Sequence, residues 1–266
     1  MSLNSSTDLT FIVNEPGITL KDRFQQIIKD CQFFDCLTAY FYISGFHLLH
    51  KALENTEKIR ILIGIGLDKE TYSLIKDERE NQSIFSHQEV KELIPEMIEN
   101  EMAESEDSKD IEESVQKFIE WINNKKLEIR AYPSKNLHAK LYIITFKEGD
   151  RDVGRVITGS SNFTRSGLED NLEFNVELKN RSDYDFAKKK FEELWANSVD
   201  VSKKFVQTIN ERTWLNQNIT PFELYLKFLY EYFKDELSRE DNIFVKYFPE
   251  NFRRLKYAEF FCTRHN

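Results

Sequence analysis

The sequence predicts an α/β fold, a mixed sheet of about seven strands flanked by helices. Three observations predict it. Residues 9–67 read as strand, helix, strand, helix, strand, the order of a sheet with crossover helices. Residues 59–67 form a near-continuous apolar run, as expected of a central strand covered on both faces. Residues 137–178 read as three strands joined by two tight connections.

The elements follow in order. Residues 9–13 form a short strand, and Asn14 and Pro16 mark a turn. Residues 19–33 have helical spacing through Leu20, Phe24, Ile27, Ile28 and Cys31, with Thr19 and Asp22 at the start. Residues 36–43 read as a buried strand rich in Tyr and Phe, and Ser44 and Gly45 lead into a helix that runs to Leu53. His47 and His50 stand one turn apart on that helix. The spacing suits a metal, but no third ligand is apparent, so a packed or interfacial pair is expected. Residues 69–76, 88–103 and 111–122 read as helices. The last two carry the acidic run Glu96, Glu99, Glu101, Glu104, Glu106, Asp107, Asp110, Glu112 and Glu113, expected to be a solvated helical insertion over about residues 86–125. Residues 127–132 form a strand that hands over to Pro133. Residues 184–197 form a helix with Phe186, Phe191, Leu194 and Trp195 toward the core and Lys188, Lys189 and Lys190 spread around it. Residues 202–209 continue helically, and a further helix starts at Pro221 behind Thr220 as its cap.

Composition narrows the function classes. The chain has 266 residues, a charged fraction of 31% and a net charge of -9, which describes a soluble acidic protein. No apolar run approaches the ~20 residues of a membrane span. The N-terminus lacks a basic stretch followed by an apolar core, so no signal peptide and a cytoplasmic location are expected. Cys31, Cys36 and Cys262 form no C-x-x-C, so neither a disulfide framework nor a zinc site is suggested. The expected division is a catalytic domain over 1–198 and a helical tail over 199–266.

The chemistry concentrates in residues 137–178. His138 and Lys140 are two apart on a predicted strand and so share a face. Gly159, Ser160, Ser161 and Asn162 follow a short strand over 155–158, and Glu173 and Glu177 lie on a third strand over 172–178. An imidazole supplies a nucleophile or general acid near neutral pH. Lys supplies a point charge for phosphate oxygens, and Ser and Asn supply hydrogen bonds to them. A carboxylate such as Glu173 can accept from one imidazole nitrogen and leave the other free to attack. Such a set can stabilise charge on a phosphoryl group without a metal, so no cofactor is expected.

The segment resembles the phospholipase D superfamily, whose signature is H-x-K, then G-S-x-N, then an acidic residue on the next strand. His138-Ala139-Lys140, Gly159-Ser160-Ser161-Asn162 and Glu173 match these elements. The resemblance implies a phospholipase-D-like sheet, His138 as nucleophile forming a phosphohistidine, and Lys140, Ser160 and Asn162 on the phosphate. It also implies that Glu173 orients the imidazole and that a second His protonates the leaving oxygen. The full pattern has an Asp five residues after the Lys, and here that residue is Thr145. Restriction-enzyme and helicase-associated members are similar in lacking it. The expectation is a metal-independent DNA endonuclease. A non-catalytic DNA-binding or dimerisation module is the alternative, and a phospholipid hydrolase a third. Only one H-x-K is present, so a homodimer with a shared active site is expected, its axis passing between two copies of His138 and the segment Thr164 to Leu168 beside the interface. Arg254, Leu255, Lys256 and Tyr257 resemble the entry to a helicase motor, which suggests a helicase domain in the same full-length chain.

Overall fold

The computed structural model describes residues 10–64, 109–133, 137–149 and 152–213, with single helical positions at 95, 98, 99, 102, 225, 229 and 232. The predicted helix at 69–76, almost all of the acidic run before Asp110, and the predicted helix and helicase-like entry after 213 lie outside the described residues, apart from those single positions.

Among the described residues eight strands form one sheet in the order β1-β7-β6-β5-β2-β3-β4-β8. They are β1 (Phe11–Val13), β2 (Cys31–Thr38), β3 (Lys58–Gly64), β4 (Leu127–Tyr132), β5 (Leu141–Phe146), β6 (Gly154–Gly159), β7 (Phe174–Leu178) and β8 (Val199–Asp200). The helices are α1 (Leu20–Ile27), α2 (Ile43–Leu49), α3 (Lys109–Asn123), α4 (Arg181–Ala196) and α5 (Ser202–Arg212). β2, β3 and β4 are parallel, and every other pairing is antiparallel. The mixed α/β sheet flanked by helices is therefore as predicted, with one strand more, the two-residue β8 at the β4 edge.

Several boundaries moved, for physical reasons. Thr19 caps α1 reciprocally with Asp22, as the sequence signalled. The helix does not reach Phe33, however. A single tight turn over Ile28–Asp30 ends it, and Cys31 is already extended in β2, so the helical spacing of Ile28 and Cys31 arises from two different elements. The predicted strand at 36–43 correspondingly begins and ends five residues earlier. β4 matches its predicted bounds, because its residues alternate between buried and half-buried along the whole strand.

One face of the sheet packs on α1, α2, α3 and α5. Phe41, Phe46, Phe118 and Phe205 form an aromatic cluster there, with Phe46 and Phe118 edge-on at 5.1 Å. Val115, Phe118 and Ile122 of α3 and Phe205 and Ile209 of α5 are buried in this core, so both helices are core elements of the sheet domain. The other face packs on α4 through Tyr184, Ala187, Phe191 and Trp195. Phe186 was expected there and is instead 66% exposed, because it projects from the opposite side of α4 to Phe191 and Trp195.

Beneath α4 lies a charged network. Asp35, buried on β2, accepts from Arg60 Nε at 2.6 Å and from Lys188 Nζ. Arg60 also holds Glu192 at 2.6 Å and stacks over Phe191 and Trp195. Burial works against its charge, but the hydrogen bonds and charges of Asp35 and Glu192 outweigh that and raise its pKa above the ordinary value. Lys188 is thus part of an internal network, and Lys190 pairs with Glu193 at 2.6 Å.

Candidate active site

The pairing register brings four strand ends to one edge. Leu37 of β2 opposes Leu141, the first residue of β5, and Leu141 opposes Thr158 near the end of β6. Gly159, the last residue of β6, opposes Asn175 near the start of β7. The carboxyl ends of the parallel strands β2 and β3 face the same way, which is where open α/β sheets bind ligands.

The candidate residues lie in the segments that leave this edge. Residues Leu137 to Lys140 have no regular structure and lead into β5, so His138 and Lys140 stand just ahead of the strand and not on it. His138 is exposed, and its ring has no partner among the described residues. Lys140 Nζ donates to the His138 carbonyl at 3.0 Å. The backbone here is anchored by Thr158 Oγ1, which donates to Lys140 O at 2.8 Å.

Gly159 turns the chain into Ser160-Ser161-Asn162. A Cβ on Gly159 would collide with Phe174 O and stand 2.6 Å from Asn175 Cα, so only glycine lets β7 pass this close. Ser160 Oγ donates to Glu173 Oε2 and accepts from Phe174 N at 3.1 Å. Glu173 sits one residue before β7, and its visible partner is Ser160; its second oxygen, Oε1, remains for another donor. Asn162 Oδ1 accepts from Tyr40 N at 3.2 Å, with Thr38 Oγ1 3.3 Å away. A backbone N–H can only donate, so the carboxamide oxygen must face it, and the Nδ2 donors are left for a ligand.

Three buried residues that sequence reasoning did not single out hold this loop. Tyr142 OH donates to Ser161 O at 2.8 Å, and burial pushes the phenol pKa well up, so it stays a neutral donor. Asn175 Nδ2 donates to Ser161 Oγ at 2.8 Å. Thr38 Oγ1 accepts from Phe163 N at 3.1 Å. Each reads in the sequence as an ordinary strand residue. Only contacts more than a dozen positions away in the chain reveal them.

Other candidates lie elsewhere. Glu177 is buried in an ion cluster with Arg23 at 2.6 Å and Arg155 at 3.2 Å, which ties α1 to the sheet. Thr145 hydrogen-bonds the Tyr184 hydroxyl at 2.7 Å. It stands five residues from Lys140, roughly 17 Å along an extended chain, and so belongs to the far end of β5. His47 and His50 form a packed pair, their rings stacked at 5.7 Å. His47 Nδ1 meets Ser114 Oγ at 2.9 Å, and His50 Nδ1 donates to the His47 carbonyl at 2.6 Å. Among the described residues no group of three His, Cys, Asp or Glu is placed to hold a metal ion.

The sequence profile described as cardiolipin synthase, PLD-like domain, matches residues 25–195. The chain belongs to the PLD-like family. The match spans β2 through α4 and includes every residue of the candidate site. Solved structures with a similar chain trace include the phospholipase D family member Nuc from Salmonella typhimurium, 16% identical, with a TM-score of 0.39 over 71% of this chain and 95% of that one. NucT from Helicobacter pylori is 13% identical, with a TM-score of 0.39 over 71% of this chain and 96% of its own. Phosphatidylserine synthase from Haemophilus influenzae is 16% identical, with a TM-score of 0.46 over 85% of this chain and 46% of its own. No curated protein matches the sequence. Among the described residues no helix is long and apolar enough to cross a membrane.

Proposed function

We propose that this chain is a phosphodiesterase that cleaves DNA through a phosphohistidine intermediate at His138. The observation that carries the reading is the gathering of His138, Lys140, Ser160, Asn162 and Glu173 at one edge of a PLD-like sheet. In the first step an imidazole nitrogen attacks phosphorus and the bond to the leaving oxygen breaks. A proton from a second imidazole neutralises that oxygen. In the second step water attacks the phosphohistidine and passes a proton to the second imidazole, the phosphorus–nitrogen bond breaks, and both histidines are regenerated. Lys140 and the Nδ2 donors of Asn162 hold the phosphoryl oxygens, where negative charge grows. Ser160 holds Glu173 by one oxygen, and the other accepts from the imidazole and fixes its tautomer.

DNA is proposed over a lipid because Thr145 stands where the full phospholipase D pattern has an Asp, as in the restriction-enzyme and helicase-associated members this chain resembles. The position lies against Tyr184, away from Lys140, so its change to Thr removes nothing from the candidate site. The second imidazole comes from a second copy of the chain: one H-x-K supplies one half-site, and a closed two-fold pairing sets His138 opposite its own copy.

Rapid acid-free quenching of wild type with an end-labelled oligonucleotide tests the reading. A covalent adduct that is stable to alkali, labile to acid and absent from His138→Ala is expected. Adduct formation with phosphatidylglycerol vesicles but not with DNA would replace the nuclease by a lipid enzyme. Light scattering should report a dimer, and turnover per chain should fall on dilution below its dissociation constant.

A further inference from the structure

We infer that Thr38 is a positioning residue for Asn162, holding Tyr40 and Phe163, the two neighbours that set how its carboxamide faces a bound phosphate. The inference rests on the reading of Asn162 as a phosphate donor. Thr38 is the last residue of β2 and is 0% exposed. Its hydroxyl makes three contacts, all to one junction. It accepts from Phe163 N at 3.1 Å, donates to Tyr40 O at 2.7 Å and approaches Asn162 Oδ1 at 3.3 Å. It thereby joins the segment that leaves β2 to the loop that leaves β6, two segments more than a hundred residues apart in the chain.

The hydroxyl matters because an amide has two ends of similar shape and opposite character. With Oδ1 held by Tyr40 N, and Tyr40 held through its carbonyl by the Thr38 hydroxyl, Nδ2 presents two donors to the ligand side. Turned over, the carboxamide would set two donors against the Tyr40 N–H and offer an acceptor to an anionic phosphate, which repels it. Phe163 N, fixed by Thr38, sets the backbone just after Asn162, and Tyr40, held by the same hydroxyl, supplies the N–H that fixes the carboxamide oxygen. The Phe41 and Phe163 backbones meet beside it, and Tyr42 N donates to Phe163 O at 3.0 Å, so the junction is rigid apart from the amide itself. A serine keeps the hydroxyl. A valine keeps the shape and removes it.

The test uses inorganic phosphate as the probe, titrated calorimetrically into wild type, Thr38→Val, Thr38→Ser, Asn162→Ala and the Thr38→Val/Asn162→Ala double variant, with turnover measured in parallel. Thr38→Val is expected to weaken phosphate binding about tenfold, the scale of a lost charge-assisted hydrogen bond. Thr38→Ser should stay within about twofold of wild type. The double variant should bind no more weakly than Asn162→Ala alone, because Thr38 acts through that side chain. A general loosening of the fold would instead make the two losses multiply. Multiplying losses, a Thr38→Val variant that binds like wild type, or a wild type that binds no phosphate would overturn the inference. The expected affinity pattern in a protein that cleaves no phosphodiester would leave Thr38 in its role and sink the nuclease reading.

Discussion

Replacing Tyr142 by Phe removes one hydroxyl from beneath the Ser160–Asn162 loop. Tyr142 is fully buried, with its ring edge-on to Phe24 at 5.0 Å, and the substitution leaves that packing intact. What it removes is the 2.8 Å hydrogen bond to Ser161 O. Ser161 is itself 0% exposed, so its carbonyl gains no water in exchange. A buried acceptor left unpaired costs ~1–3 kcal/mol. For a domain of this size each kcal/mol moves the melting temperature by about 2–4 °C, so a fall of roughly 2–12 °C is expected. Urea denaturation followed by circular dichroism should show a lower midpoint at an unchanged slope, since the surface exposed on unfolding does not change. Turnover should fall as well, because the same bond braces Ser160 and Asn162. A variant within ~0.5 kcal/mol of wild type, the range of an ordinary surface substitution, would refute the bracing role.

Gly159→Ala must push β7 away from the loop, since its methyl would stand 2.6 Å from Asn175 Cα; overpacking of ~1–3 kcal/mol and a roughly hundredfold loss of turnover are expected, checked by melting and steady-state kinetics. Glu177→Gln leaves Arg23 without a countercharge and Arg155 with Asp152 alone, and chemical denaturation should register a loss of ~3 kcal/mol, the lower end for a broken buried pair. Burial holds the His47 pKa below its ordinary value, against the pull of Asp110. The unfolded chain therefore takes up the proton more readily, so the His47 contribution is intact above about pH 6.5 and is lost as pH falls below it. The drop in denaturation midpoint between pH 7.5 and 5.5 should be smaller in His47→Gln than in wild type.

What the sequence disclosed, and what it hid, follows from the range of the interactions. The Thr19–Asp22 cap and the alternation of Leu127 to Tyr132 are local, and both were legible from neighbouring residues. The end of α1 was not. Ile28 and Cys31 continue the helical spacing of Leu20, Phe24 and Ile27, yet they are buried by a turn and a strand that meet the same core. Phe186 reads as a core residue by type, but its angular position on α4 opposes that of Phe191. Within the candidate site, His138, Lys140, Ser160, Asn162 and Glu173 carry chemistry in their side chains and a fixed spacing, so they stood out. Thr38, Tyr142 and Asn175 act only through the loop they support. Their partners are set by the β5-β6-β7 register and by β2, which no local pattern in the sequence encodes.

The most direct test of the phosphohistidine reading is digestion of plasmid DNA in excess EDTA by wild type and His138→Ala side by side. Cleavage by wild type at its chelator-free rate, with none by the variant, is the predicted result. Cleavage that requires added magnesium, or that survives the loss of His138, would contradict it.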